Sequence, residues 1–557
     1  MKMKFLSTFF FFVCFSENLF TQNWDWAKVV GGVRSDEGNC VSTDGVGNVF
    51  VTGYFYSPTI AFGSTILTNK DTSGNTQDIF IAKFDASGNV LWAKNVGGSG
   101  NDFGQSISTD GNGNVFITGG FESSTIIFGS DTLINLGIQN IFIAKYDASG
   151  NLLFAKSVGG SSQDVGYSIS TDGIGNVFVT GWFQSPSITF GSTTLTNQGF
   201  TNIFITKYDA IGNVLWAKSV AGNADDYGVG VSTDGSGNVY LTGSYGYTLT
   251  FGTTILSNTG SAEFFIAKYD ASGNVLWAKS ASGSSNGNSI STDCIGNVFV
   301  TGFFKSSTVT FGNTILTNSD SAPDIFIVKY DALGNVLWAK SSTGTSTDVG
   351  CGVSTDGIGN VYLTGYFNSS LISFDSDTIT NAGYWNIFLT KYDASGNVIW
   401  VKSARGDGGD MGYSVSADGS GNVFITGILN SFVTICGSTT LTNTNMGGTN
   451  IFLAKLNGIS GINEINLDNS FEIYPNPTNG MFTIQANLPT GQAGSHQLLA
   501  NSQIEIYNVM GEKVYSNSQL PQSTQLTINL SAQAVGIYFL QLTTQQGIAR
   551  KKIVISR

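Results

Sequence analysis

The sequence predicts an all-β protein, and three observations carry that reading. Gly supplies 71 of the 557 residues while charged residues make up only 11%, which suits closely spaced tight turns and leaves too few charges for a bundle of amphipathic helices. The 41% hydrophobic and 12% aromatic content supplies apolar surface for packed cores and excludes a disordered polymer. Short β-rich runs end again and again at Asp-x-x-Gly-Asn, the chemistry of a tight hairpin turn. The chain is too long for one core, so several domains or a repeat array are expected. A net charge of −13 argues against nucleic-acid binding, which needs clustered Lys and Arg.

At the N-terminus, Lys2 and Lys4 precede an apolar run, 5–15, and a more polar stretch, 16–22. That is the layout of a secretory signal peptide, 1–21, with cleavage after Ser16 or near Thr21. The run is too short to span a bilayer, and no later segment approaches the roughly 20 apolar residues a membrane helix needs. Cys14 follows Phe12 and Val13, where a lipoprotein signal requires small residues. Cys40, Cys294, Cys351 and Cys436 share no CxxC spacing; neither a disulfide framework nor a zinc site is signalled.

From there the chain is dominated by self-similarity. A Ser-Thr-Asp-Gly-x-Gly-Asn-Val pattern recurs with its Asp at Asp44, Asp110, Asp172, Asp234, Asp293, Asp356 and Asp418. A second pattern, Ile-Phe-Ile-Ala-Lys-Tyr-Asp followed by Gly-Asn and Leu-Trp-Ala-Lys, places turn acids at Asp85, Asp147, Asp209, Asp270, Asp331 and Asp393. In each turn the Asp accepts backbone hydrogen bonds and Gly takes the positive-φ position. Two hairpins per unit predict a four-stranded antiparallel sheet. The ends of the array choose ring over solenoid: the last unit stops after Lys455 without its Leu-Trp-Ala-Lys strand, and an orphan Trp26-Ala-Lys28 precedes the first. Residues 23–30 are therefore expected to complete the last sheet, giving a seven-bladed β-propeller of four-stranded blades over 22–458. The repeated Gly-Asn-Val-Phe-Val-Thr-Gly, Phe-Gly, Ile-Phe-Ile-Ala-Lys-Tyr-Asp and Gly-Asn-Val-Leu-Trp segments resemble the SBBP-type β-propeller repeat of secreted bacterial proteins, which implies the fold and little defined activity.

A polar linker, 459–470, leads to a block, 471–557, whose alternating runs and Pro/Gly turns suggest a small β-sandwich. Its Pro475, Asn476, Pro477, Gly480, Gly511, Gly536, Tyr538, Lys551 and Lys552 resemble the C-terminal sorting domain of type IX secretion cargo. That resemblance implies the type IX machinery as a partner and an extracellular or outer-membrane surface destination.

The only histidine, His496, lies outside the array, which removes Ser-His-Asp, Cys-His and His-metal chemistry from it. Acids that depart from the repeat are Glu37, Glu122 and Glu263. A propeller glycosidase would need two of them paired near the axis. Asp36, Asp102, Asp164, Asp226, Asp348 and Asp410 each stand eight residues before their turn Asp, with Ser285 in the remaining unit. Such a series either caps its own loops or forms a carboxylate ring for a cation such as Ca²⁺; no other cofactor is indicated. Lys83, Lys145 and Lys207, and Lys94, Lys156 and Lys218, mark two periodic positions that read as strand-edge, solvated lysines. Trp92, Trp216, Trp277, Trp338 and Trp400 recur on the outer strand and read as packing between blades. The residue after Thr-Gly in the second strand varies, and its aromatic members Tyr54, Trp182, Phe303 and Tyr366 are the candidate ligand-binding set. The sequence thus points to a non-catalytic binding or adhesion scaffold for a glycan or protein ligand; the alternatives are a carbohydrate-active enzyme of propeller type and a purely structural surface protein.

Overall fold

The computed structural model describes residues 23–458, apart from 198, 357, 358, 444 and 446, and then 471–486, 503–508, 512–517, 525–544 and 547–556. The expected signal peptide, the linker 459–470, Gly511 and His496 lie outside these. The chain divides into two compact units, 1–457 and 458–557.

In the first unit the hairpin turns bring successive strands together antiparallel. One sheet consists of Asp36–Thr43, Val49–Phe55, Asp78–Phe84 and Val90–Val96, paired in that order; the next repeats the arrangement with Asp102–Thr109, Val115–Phe121, Asn140–Tyr146 and Leu152–Val158. Four-stranded sheets of the same order follow up to Met411–Ala417, Val423–Leu429 and Asn450–Leu456. There the outermost place is taken by Trp24–Val30, whose Trp26 to Val30 oppose Lys455 to Ile451. Asp25 and Lys455 add an ion pair of 3.0 Å on this seam. Each innermost strand lies against the next, and Met411–Ala417 lies against Asp36–Thr43, so the succession closes on itself. Between second and third strands the chain forms a two-stranded ribbon such as Ser187–Phe190 with Thr193–Thr196.

The turns are locally determined. Asp44 accepts the Val46 and Asn48 amides on Oδ1 and the Asn48 Nδ2 on Oδ2, while Gly47 adopts a φ of +87°. Asp147 and Asn151 repeat this in the outer hairpin. Apolar side chains from facing sheets form the cores, for example Phe178, Ile203 and Ile205 against Val239, Leu241 and Phe265. Burial of such faces is the main favourable term, at about 25 cal/mol per Å² of apolar surface.

Polar stitches join neighbouring sheets. Around the axis Thr hydroxyls donate to the carbonyl of the preceding unit's Thr: Thr109 to Thr43 (2.7 Å), Thr171 to Thr109 (2.8 Å), Thr233 to Thr171 (3.0 Å), Thr292 to Thr233 (2.6 Å) and Thr355 to Thr292 (3.0 Å). Farther out, the Trp92 and Trp216 indoles donate to Ala148 and Ala271 carbonyls in the next sheet's outer turn, in keeping with the packing role. The lysines correct the sequence reading. Lys83, Lys145 and Lys207 are buried, not solvated: each ammonium donates to the same turn carbonyl of the next sheet, Ala148, Ala210 and Ala271, and lies over Phe50, Phe116 or Phe178 at 4.7–5.0 Å. A long apolar stem lets the charge reach a carbonyl and a ring face across the seam, so burial costs less than for an isolated ion.

In the second unit, Phe471–Tyr474, Met481–Ala486 and Gln525–Asn529 form one sheet; Lys513–Asn517, Gln503–Asn508, Gly536–Thr544 and Gly547–Ile555 form another. Phe482, Ile484 and Ile528 of the first share a core with Ile504, Ile506, Leu540, Leu542 and Ile553 of the second.

Candidate ligand-binding site

The site begins with a displacement in every innermost strand. Against the second strand the register slips by one residue between Gly38 and Cys40, Gly104 and Ser106, Gly166 and Ser168, Gly228 and Gly230, Gly287 and Ser289, Gly350 and Gly352, and Gly412 and Ser414. A β-bulge leaves one residue unpaired and re-aims its side chain. The repeated Thr-Gly of the second strand accommodates the bulge: a Cβ on Gly53 would stand 1.9 Å from the Glu37 carbonyl, and one on Gly119 2.0 Å from that of Phe103. The displaced residues are Asn39, Gln105, Tyr167, Val229, Asn288, Cys351 and Tyr413, and all of them line one cavity of about 650 Å³ on the axis. Glu37, Met411 and Val349, each following one of the periodic Asp residues, share its wall with Tyr54, Phe303 and Tyr366 and with a repeated apolar position of the innermost strands, such as Val41, Ile107 and Ile169.

Three of the four candidate aromatics therefore meet in one place. Trp182 occupies the same register but is not among the cavity residues; it packs edge-on against Tyr227 with centroids 5.9 Å apart. Tyr366 continues outward onto Trp385 (5.3 Å), which lies against the exposed Tyr384 (4.6 Å). Tyr54 meets Tyr56 edge-on at 5.9 Å.

Electrostatically the cavity is poor in charge. Burial pushes the Cys351 thiol up to about 12 and the Tyr366 phenol, which also feels Cys351, up to about 12. Burial, and then the Glu37 carboxylate, raise both Tyr54 and Tyr413 well above the ordinary phenol value. Glu37 is itself raised by burial and partly offset by a hydrogen bond from Tyr54, its cross-strand neighbour. None of the cavity residues is Lys, Arg or His. Lys305 lies outside the lining, its ammonium 5.6 Å from the Phe303 centroid.

The periodic acids are placed differently. Asp36, Asp102, Asp164, Asp226, Asp348 and Asp410 are fully buried, each within its own sheet. Asp102 accepts the amides of Gly98 (2.8 Å), Glu122 (3.2 Å) and Ser123 (3.1 Å) and the Ser123 hydroxyl (2.6 Å), latching the loop that enters the strand to the loop that leaves its neighbour. Asp36 with Ser57, Asp164 with Ser185, Asp348 with Ser369 and Asp410 with Ser431 do the same. Asp226 accepts the Gly246 amide and has no hydroxyl partner among the described residues. Burial raises the whole series, Asp36 and Asp348 to about 6 and Asp102 and Asp226 to about 7, against which the hydrogen bonds work. They are loop caps in position and are not gathered round the axis; among the described residues no three His, Cys, Asp or Glu side chains stand close enough to hold a metal ion.

In the second unit, Asn476 of the Pro-Asn-Pro segment donates to the Lys552 carbonyl (2.7 Å) and accepts the Val554 amide (2.9 Å), so its side chain pairs with the last strand. Thr478 extends that pairing with Ile555. Gly480 has a φ of +109° and is crowded by Ser531, and the Tyr538 hydroxyl closes onto the Ala534 carbonyl (2.8 Å). Gly536, Lys551 and Lys552 lie in the two strands that follow. The expected sorting residues that are described thus hold one corner and two edge strands together.

Among the described residues Cys40, Cys294, Cys351 and Cys436 are free thiols, Cys436 buried and Cys294 exposed. The sequence singles out Glu37 as an acid departing from the repeat, but the bulge residues beside it were missed, because ligand-binding variation was weighed only in the second strand. The signal was available as the changing residue of Gly-x-Ser, Gly-x-Gly or Gly-x-Cys opposite an unchanging Thr-Gly.

Residues 472–556 match the family model described as the secretion system C-terminal sorting domain, and residues 91–119 match that of the beta-propeller repeat. The chain is thus a β-propeller-repeat protein with a C-terminal type IX sorting domain, a tail that indicates export to the cell surface or extracellular space. It is 26% identical over 501 residues to an uncharacterized WD repeat-containing protein of Acanthamoeba polyphaga mimivirus, covering 73% of this chain and 36% of that one. It is 23% identical over 311 residues to the regulatory protein FlaEY of Caulobacter vibrioides, covering 50% and 32%. The chain spans about a third of the length of these curated relatives. Similar solved structures include the Neurospora crassa Pan2 WD40 domain (8% identity, TM-score 0.29, 63% of this chain and 88% of that one). Another is PorZ, a surface component of the type IX secretion system of Porphyromonas gingivalis (11%, TM-score 0.17, 95% and 100%). Among the described residues no helix is long and apolar enough to cross a membrane.

Proposed function

We propose that the protein is an exported seven-bladed propeller with a sandwich-type sorting domain, working outside the cell or on its surface as a non-catalytic scaffold that binds a glycan or protein ligand in the axial cavity. One observation carries this reading. The side chains that depart most from the repeat, the bulge residues and Glu37, converge with Tyr54, Phe303 and Tyr366 on a single cavity, where the repeated side chains contribute only small or aliphatic lining such as Ser106, Val41 and Ile107. Rigid scaffolds commonly place binding at such positions, and aromatic walls suit sugar faces and protein anchors alike. The signal peptide read over 1–21 would start the route and the tail would complete it.

Two experiments test the parts separately. A reporter fused to residues 459–557 should reach the medium or cell surface of a type IX competent host; retention in the periplasm refutes the export role. The secreted chain, screened on glycan and surface-protein arrays, should give a ligand whose binding is lost in Tyr54→Ala and Tyr366→Ala. Binding that survives both substitutions places the site elsewhere.

A further inference from the structure

Glu37 stands out because nothing in the repeat requires it. The residue following the latch Asp is Phe103, Val165, Tyr227, Val349 or Met411 in other blades, so a carboxylate at this place serves no shared structural need. The latch acids other than Asp226 are met by amides and a serine, but Glu37 has one phenol and no cationic side chain among its cavity neighbours. Arg34, three residues earlier, spends its guanidinium on the Ser73 carbonyl at 3.1 Å. A half-buried carboxylate without a cation is costly unless something balances it.

What surrounds it is aromatic. Tyr54 and Tyr413 both feel the Glu37 charge, and Tyr413 also feels Tyr366 and Tyr167 across the axis. The amides suited to sugar hydroxyls are partly committed, Asn39 Nδ2 to the Gly104 carbonyl and Asn288 Nδ2 to that of Gly350, both at 2.9 Å. Elsewhere the same fold seats ammonium groups on ring faces, as Lys145 over Phe116 at 4.7 Å. Aromatic side chains and one anion, with no Lys, Arg or His in the lining, match an alkylammonium group in charge and chemistry.

We propose that the axial cavity binds an organic cation, a quaternary ammonium or a lysine side chain, with Glu37 as its counter-ion and the rings of Tyr54, Tyr366 and Tyr413 as its walls. This rests on the ligand-binding reading above and names the chemistry of that ligand. Lys305 already covers Phe303, so the cation sits on the Glu37 and Tyr413 side of the axis.

The test is titration calorimetry of the secreted chain with choline, with its uncharged carbon isostere 3,3-dimethylbutan-1-ol, and with Nα-acetyl-lysine amide. At least one cation should bind saturably, the isostere about ten-fold or more weaker, and Glu37→Gln should weaken the cation by about ten-fold with an unchanged melting temperature. Tyr413→Ala should weaken it similarly. Preference for choline assigns the site to quaternary ammonium, and preference for the lysine amide to a protein side chain. The proposal is overturned if the isostere binds as well as choline, if Glu37→Gln has no effect, or if neither cation binds at tens of millimolar. Should a neutral glycan bind through Tyr54 and Tyr366 while both cations fail, the cation assignment falls and the scaffold reading stands; failure of every ligand at these tyrosines removes both.

Discussion

The two ends of the axial channel are built on opposite rules. At the hairpin-turn end, one residue type repeats because one bond repeats: a Thr hydroxyl reaches the carbonyl of the preceding Thr from Thr109 round to Thr355. At the other end the bulges present five residue types, Asn39, Gln105, Tyr167, Val229, Asn288, Cys351 and Tyr413. A side chain that must satisfy a fixed backbone group in the next blade cannot change without leaving a buried polar atom unpaired. A side chain lifted out of the ladder by a bulge need not do so: Asn39 and Asn288 still donate to the next blade's carbonyls, whereas the apolar Val229 stands at the same place without such a bond. In a repeat of this kind, constancy marks scaffold and variety marks the surface free to take on a ligand.

The largest test of the constant part is Asp102→Ala. Three donors lose their acceptor in a fully buried place while the Glu122 amide keeps only the Asn101 carbonyl, and removing such a hydrogen-bond centre costs about 3–5 kcal/mol. Denaturant unfolding of the full chain should show that loss; a change below about 1 kcal/mol would mean that water replaces the carboxylate and that the latch is dispensable.

The latches also set a pH dependence. Asp36 and Asp348 titrate near 6 and Asp102 and Asp226 near 7, above the usual 3.8. Between about pH 4 and pH 7 the folded chain therefore holds protons that the unfolded chain has released, and stability falls as pH rises through that window. The turn acids Asp85, Asp147, Asp209, Asp270, Asp331 and Asp393 are shifted the other way, so stability is also lost as pH drops below about 4. Calorimetric melting temperatures should peak in mildly acidic buffer and decline towards neutrality; a flat profile from pH 5 to pH 8 would show that the hydrogen bonds keep the latches ionised.

The variable part should respond in the opposite sense. Tyr366→Ala is expected to abolish ligand binding while lowering stability by about 1 kcal/mol, the aromatic contact with Trp385 being its main structural debt. A larger stability loss with binding intact would make Tyr366 scaffold.

How far these two ends were legible follows from the range of the forces involved. The Asp-x-x-Gly-Asn turns could be read directly because their hydrogen bonds close within five residues, as from Asp44 to Asn48. The same locality gave the strands and the four-stranded sheets. Lys83 was misread as solvated because its partner, the Ala148 carbonyl, lies 65 residues away, and no local pattern distinguishes a stem running along a surface from one crossing a seam. The candidate aromatics were found by their variability, yet Tyr54 and Trp182 in the same register part company, because the next blade offers Tyr227 for Trp182 to pack on. Bulges were hidden by the habit of counting alternation in twos: a one-residue slip sends Tyr413 into the channel although the strand around it alternates normally.

The smallest effect tests the ring of hydroxyls itself. Thr171→Val keeps volume and β-branching but leaves the Thr109 carbonyl without its donor at 2.8 Å, a loss of about 1 kcal/mol. The natural sequence supplies the reverse experiment, since Ala417 stands where the other blades carry Thr, and the chain there makes do with the Ala417 amide on Ser354 (3.0 Å) and Thr43 on Ser416 (3.1 Å). Ala417→Thr can donate to the Thr355 carbonyl and continue the ring, so it should gain about 0.5–1 kcal/mol. Equal and opposite shifts in the two variants, measured by denaturant unfolding, would show that each hydroxyl acts by itself. A gain for Ala417→Thr well above the loss for Thr171→Val would instead mean that extending the run of hydroxyls stiffens the whole circle, and would make Ala417 a built-in weak point in the innermost strand of the last sheet.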